Sequence, residues 1–297
     1  MNLIEDLKRE FRKKDNAVTK IILINVIVFI FLGIFMVLSF ITKNWHAYEF
    51  IDKQFSLPSN IREFIYRPWT LITFFFAHYV GPSISSLLHI FFNMMMFFWF
   101  GKLIAEYIGN RKLINLYILG GMVSGLFYLL IYNVFTLFLV LPPSTSVVGA
   151  SGAVYAVMVA AATLLPHYTF HLVFIGPVKI AYIAAALIFL SFLGMVGANA
   201  GGSIAHLGGA ITGYAFIKEL QRGNDLGKPL TIFFTWIGNL FAKKPKMKVS
   251  YKKKESIDDD YIPNEEEIDA ILDKISRSGY NSLTKEEKQK LFKASQK

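Results

Sequence analysis

The sequence predicts an all-α polytopic membrane protein: six transmembrane helices, a long interfacial first loop and a short helical cytoplasmic tail. Three observations carry this. The chain has 297 residues, is 54% hydrophobic and contains 28 phenylalanines, against about 45–50% apolar residues in soluble domains. No Asp, Glu, Lys or Arg occurs from Leu113 to Val178, or again from Ile180 to Ile217, and uncharged stretches of that length belong in hydrocarbon. The basic residues flank these runs, which is a pattern of membrane orientation and not of nucleic-acid binding.

Taken in order, residues 1–18 form a basic cytoplasmic N-terminal segment and 19–41 a first span. The apolar run Ile21–Ile41 is too long for a signal-peptide core and lacks a small-residue cleavage site, so it reads as a retained helix. The first loop, 42–85, carries Trp45, Trp69, Pro58 and Pro68, a composition suited to headgroup depth. Within it, Trp69–Tyr79 is apolar but too short to cross, and is expected to lie in the interface or re-enter. Further spans are expected at 86–108, 113–134, 147–165, 178–197 and 203–219, completing a membrane domain over 19–219.

Residues 220–264 read as an amphipathic and basic linker. L-T-I-F-F-T-W-I-G-N-L-F (230–241) suits an interfacial helix, and the seven lysines of Lys243–Lys254 suit a solvated segment able to meet anionic membrane lipid. After the acidic D-D-D at 258–260, N-E-E-E at 264–267 and T-K-E-E at 284–287 are helix-start signals. They predict two amphipathic tail helices, Glu265–Ser276 and Thr284–Ala294, within a unit over 265–297 that is a candidate for docking a cytoplasmic partner. The chain has no cysteine, which excludes disulfides and thiolate metal sites.

Orientation follows from charge. The first 20 residues hold six Lys/Arg, Lys102, Arg111 and Lys112 mark the turn after span two, Lys179 the turn after span four, and seventeen more follow Ile217. The other side has only Lys43, Lys53, Arg62 and Arg67. Both termini are therefore expected in the cytoplasm, with a bacterial inner membrane as the expected location. Spans two, four and six then run inward from the outer side. His89, Ser151 and His206 each fall about one turn into their spans, roughly 5–8 Å from the outer end.

Each brings a partner on its own helical face. His89 and Asn93 are i, i+4, as are Ser151 and Tyr155; His206 is followed by Gly209 and Gly213 at i+3 and i+7. Small residues around a serine equally suit helix packing: Gly149, Gly152, Gly209 and Gly213, with Ala156 and Ala160, allow close approach of spans four and six. That approach is what would bring Ser151 to His206. A serine hydroxyl becomes a nucleophile when a neutral imidazole accepts its proton. A triad would need a carboxylate, and none occurs between Tyr107 and Lys218. A Ser–His dyad is the simpler reading, with His89, Asn93 and the Ser151 backbone N–H as oxyanion donors. His46 and His78 read as interfacial loop residues, and His167 and His171 lie on the cytoplasmic side without support for a metal role.

These motifs resemble those of the rhomboid intramembrane serine proteases: G-A-S-G with Tyr155, A-H-x-x-G around His206 and H-x-x-x-N at His89 and Asn93, in the family's order over about 60–220. The resemblance implies a six-helix rhomboid bundle with Ser151 as nucleophile, His206 as general base, His89 and Asn93 as oxyanion donors and Tyr155 stacked on His206. It also implies transmembrane protein substrates, and neither metal nor cofactor. The first loop departs from the family, with R-P-W-T where Trp-Arg is common and a longer segment between His78 and His89. Two other readings compete: a catalytically silent rhomboid-like protein that binds membrane clients, and a small-molecule transporter, which would show internal repeats.

Overall fold

The structure, a computed structural model, describes residues 16–135, 146–172, 175–197, 199–241 and 263–295. The basic segment before Asn16, the lysine-rich stretch Lys243–Lys254 and the acidic D-D-D lie outside the described residues. The chain divides into two compact units, Met1–Phe241 and Ala242–Lys297.

The first unit opens with α1 (Ala17–Thr42), closed by Lys43 in the left-handed conformation. The first loop is not irregular. It contains α2 (His46–Phe55), strand β1 (Leu57–Pro58), α3 (Ile61–Tyr66) and α4 (Thr70–Thr73), the last continued by a 3₁₀ turn at Phe74–Phe76. Next come α5 (Ile84–Ile108) and α6 (Asn110–Val134), separated by Gly109 alone at φ 91°, a conformation glycine adopts without penalty. Strand β2 (Ser146–Val147) leads to α7 (Ser151–Leu164); a hairpin of β3 (Thr169–Leu172) and β4 (Gly176–Lys179) then joins it to α8 (Ile180–Gly194). The unit ends with α9 (Ala200–Gln221) and α10 (Lys228–Phe241).

α1, α5 and α6 are long and apolar enough to cross a membrane. α7 and α8, of 14 and 15 residues, are apolar but shorter, about 21–23 Å against a hydrocarbon core of about 30 Å. α7 begins four residues later than the sequence pattern implies, because Val147 pairs with Leu57 and Ser146 with Pro58 in an antiparallel bridge. α9 has 22 residues, but its glycines and alanines give it modest apolarity.

The segment after Trp69 packs into the protein instead of lying on its surface. Phe74 and Phe75 are buried against α6, with the Phe75 ring 5.9 Å from that of Tyr117. Polar groups fix it there. The Tyr117 hydroxyl donates to the Phe75 carbonyl (2.8 Å), while Asn25, buried within α1, donates to the Tyr117 oxygen (3.1 Å). The Asn25 NH₂ group, bonded also to the Ile21 carbonyl (2.9 Å), offsets part of the cost of burying a polar side chain. Elsewhere in the loop, Thr73 donates to the Gln54 carbonyl (2.6 Å) and Asn133 to the Ser59 carbonyl (2.7 Å). Arg67 donates to the Lys53 carbonyl (2.7 Å) and pairs with Glu63 (2.8 Å). Thr70 is buried and donates to the Arg67 carbonyl (2.6 Å). α10 is held to the start of α6 by Asn115, which donates to the Gly227 carbonyl (2.9 Å) and to Thr231 (2.7 Å).

The second unit is a helical hairpin, α11 (Glu265–Ser278) and α12 (Lys285–Ala294). Asn264 and Glu267 form a reciprocal capping box, and Thr284 and Glu287 make the same pair of bonds (3.2 and 2.7 Å). Ion pairs Lys274–Glu287 (2.7 Å) and Lys290–Glu267 (2.6 Å) cross between the helices over buried Ile271 and Leu283. The Lys274 ammonium holds the Glu287 carboxyl below the usual carboxylate range. A depressed folded-state pKa stabilises above the unfolded value of about 4.3 and loses that contribution as pH falls through the folded value. Acidifying the full chain below about pH 4 is therefore expected to weaken amide-exchange protection in 264–294 first, and Glu287→Gln should remove most of that pH dependence.

Candidate active site

The first loop builds the approach to Ser151. β1 pairs with β2, and the Gly149 N–H donates to the Phe74 carbonyl (3.0 Å), so the chain before α7 is bonded to the loop twice. Gly149 has φ 145°, where a side chain is strained, and turns the chain into the helix. It is thus a turn residue at the site and not the helix-packing residue the sequence implied. Ser151 is the first residue of α7, half-buried, at the end where backbone N–H groups lack intrahelical acceptors.

His89 comes to the same place from α5. A Cβ on Gly149 would stand 3.6 Å from His89 Cε1 and 3.7 Å from Ser151 Oγ, so these two side chains bound one small space. The His89 side chain is exposed, while Asn93 one turn on is buried and donates one amide proton to the His89 carbonyl (2.9 Å). Its NH₂ has a second proton to give.

His206 arrives from α9. Its ring stacks on Tyr155, with centroids 4.2 Å apart and planes 9° from parallel. The α7–α9 contact is backbone to backbone: a methyl group at Gly209 would meet the Gly152 carbonyl, and one at Gly213 the Ala156 carbonyl. Gly152 in turn lies against Ser124 of α6. Gly209→Ala or Gly213→Ala is expected to push the two helices apart and cost about 2–3 kcal/mol. Thermal unfolding in detergent checks this, with Gly223→Ala as an unsuitable control because its φ is 90° and Gly238→Ala, which meets open space, as the suitable one.

The expected position one turn into its helix does not hold for Ser151. Ser151 opens its helix, whereas His89 and His206 lie about 7–9 Å along α5 and α9 from Ile84 and Ala200. Lateral packing at Gly149 and Tyr155 gathers the residues instead. Among the described residues, no hydrogen bond joins the Ser151 hydroxyl to the His206 ring, and such bonds often tighten only when substrate is bound.

Two site residues escaped the sequence reading. Ser191 of α8 lies 3.0 Å from His206 Nδ1 and donates to the Tyr155 hydroxyl (2.9 Å), which donates to the Leu187 carbonyl (3.3 Å). Its signal was available, as the one serine in the apolar run 180–194. His78, read as interfacial, is buried, with its ring 5.6 Å from His89 and edge-on at 75°. No periodicity in the loop marks it. His46, His167 and His171 are exposed and away from this cluster, and among the described residues no group of three or more His, Cys, Asp or Glu is arranged to hold a metal ion.

These features define a class: a helical protein with helices long and apolar enough to cross a membrane, in which a serine at a helix start shares a small space with a histidine of a second helix and a histidine of a third stacks on the tyrosine one turn on. Comparison with known proteins identifies the class more closely. Residues 66–221 match the Rhomboid domain, and residues 255–297 match a family of unknown function, DUF6576. RHOMBOID-like protein 12, mitochondrial, of Arabidopsis thaliana is 32% identical over 164 residues, covering 52% of this chain and 47% of the relative. The chain thus spans about half the length of that curated relative. It belongs to the rhomboid family.

Proposed function

We propose that the protein is an intramembrane serine endopeptidase that hydrolyses peptide bonds in or next to transmembrane segments of other membrane proteins, without a cofactor. The observation that carries this reading is the stack of His206 on Tyr155, one helical turn from Ser151, where His89 and Ser151 bound one small space beside Gly149. In the reaction, His206 Nε2 takes the Ser151 proton as Oγ adds to the scissile carbonyl carbon. The oxyanion accepts from the Ser151 backbone N–H, the His89 ring and the second Asn93 amide proton. His206 returns its proton to the leaving nitrogen as the C–N bond breaks, leaving an ester on Ser151. Water, deprotonated by His206, then attacks the ester carbonyl; as the Oγ–acyl bond breaks, His206 returns that proton to Oγ, releasing the carboxylic product and restoring the serine.

We read the bundle as six-spanning, with α7, α8 and α9 completing the crossing inside protein, and both termini on the cytoplasmic face of a bacterial inner membrane. The mitochondrial designation is that of the plant relative. The tail hairpin is read as a docking unit for a cytoplasmic partner.

The test is cleavage of a transmembrane reporter by the purified protein in lipid vesicles, with product masses locating the cut. We expect one cut within or beside the outer half of the reporter's span. A reporter that binds and stays intact would favour the silent client-binding reading.

A further inference from the structure

A neutral imidazole carries one proton, and only its bare nitrogen can act as a base. In a Ser–His–Asp triad the carboxylate fixes that choice by accepting from Nδ1–H. Here no carboxylate occurs between Tyr107 and Lys218, so the choice falls to a neutral group.

Taken in the directions their geometry gives, the bonds around His206 form one chain of donors and acceptors. The Tyr155 hydroxyl donates its proton to the Leu187 carbonyl (3.3 Å). The Tyr155 oxygen then accepts from Ser191 (2.9 Å), which spends the only proton Ser191 has. In this chain the Ser191 oxygen faces His206 Nδ1 at 3.0 Å with lone pairs alone, which assigns the ring proton to Nδ1. Nε2 is bare.

We propose that Ser191 is a positioning residue that sets the proton of His206 on Nδ1, through a relay that ends at the Leu187 carbonyl, and so leaves Nε2 as the base for Ser151. The role of base rests on the protease reading; the position of the proton does not.

The location of Ser191 supports this independently. α8 buries only Ile180, Ala184 and Ser191, and the neighbours of Ser191, Leu190 and Phe192, are exposed. A hydroxyl in so narrow a buried stripe costs desolvation unless it is bonded, and both of its side-chain partners belong to the candidate site. The arrangement also serves the cationic ring, because Nδ1 keeps its proton in both charge states and no group must turn as His206 picks up the serine proton.

The experiment is nitrogen NMR of the full-length protein with ¹⁵N-labelled histidine at pH 8, with His206 assigned by its loss in His206→Ala. Wild type is expected to show a protonated Nδ1 and a bare Nε2. Ser191→Ala should shift His206 toward a mixture of tautomers and lower kcat for reporter cleavage about tenfold with KM unchanged, as loss of one buried hydrogen bond would. Ser191→Thr should restore both readouts. Tyr155→Phe, which keeps the stack but frees the Ser191 proton to point at Nδ1, should raise the Nε2–H form, and it serves if Ser191→Ala does not fold. A wild-type protein with its proton on Nε2, or a Ser191→Ala protein with tautomer and kcat unchanged, would overturn the relay. Wild type with a protonated Nδ1 but no reporter cleavage would overturn the protease reading and leave the relay standing.

Discussion

Ser151→Ala and His206→Ala are each expected to lower single-turnover reporter cleavage by at least about 10³-fold, and the double variant by no more than either alone. Nucleophile and base act as one unit, so removing either removes the step, and what remains comes from binding and oxyanion stabilisation. The two should differ in stability. Ser151 is half-buried and opens its helix, so its loss removes one hydroxyl. His206 stacks on Tyr155 and bonds Ser191, so its loss removes the stack and one of the two side-chain bonds of Ser191 and should lower the unfolding temperature as well. Unfolding measured beside cleavage separates chemistry from folding, and additive losses in the double variant would argue against a dyad.

Asn93→Ala is expected to cost about 10²-fold in kcat with little change in KM, the magnitude typical of removing one oxyanion donor. The side chain is 8% exposed, so truncation also opens a cavity. Asn93→Asp is the sharper variant: the shape is kept, but an ionised carboxylate has no proton to donate and repels the developing oxyanion. An equal or greater loss in Asn93→Asp, with normal unfolding, identifies the amide as a donor in the transition state. Retained kcat in both variants would reduce Asn93 to its bond with the His89 carbonyl.

Much of this architecture was legible in the sequence, because membrane helices announce themselves by long uncharged runs. α1, α5 and α6 begin and end within three residues of the spans read from hydropathy. The tail helices were marked by Asn264 and Thr284, each with Glu three residues on. The glycines of α9 pointed to a close neighbour, since only a backbone surface needs glycine at i, i+4.

What escaped depends on contacts distant in sequence. Hydropathy cannot tell that Val147 will pair with Leu57 and so delay the start of α7. It also cannot tell that an apolar stretch such as Trp69–Tyr79 will bury its phenylalanines under Tyr117 instead of in lipid. Gly149 looked like packing because its neighbours are small, and its φ of 145° is visible only in the folded chain. Ser191 and His78 belong to no local motif. Each matters through one partner, His206 or His89, on another helix.

The most direct test of the central claim, that Ser151 is a nucleophile activated by His206, is covalent labelling by a fluorophosphonate probe. Intact mass and peptide mapping of the purified full-length protein are expected to show one adduct, on Ser151, formed in wild type and lost in His206→Ala. A protein that cleaves the reporter while Ser151 stays unlabelled, or labels equally well without His206, would contradict the account.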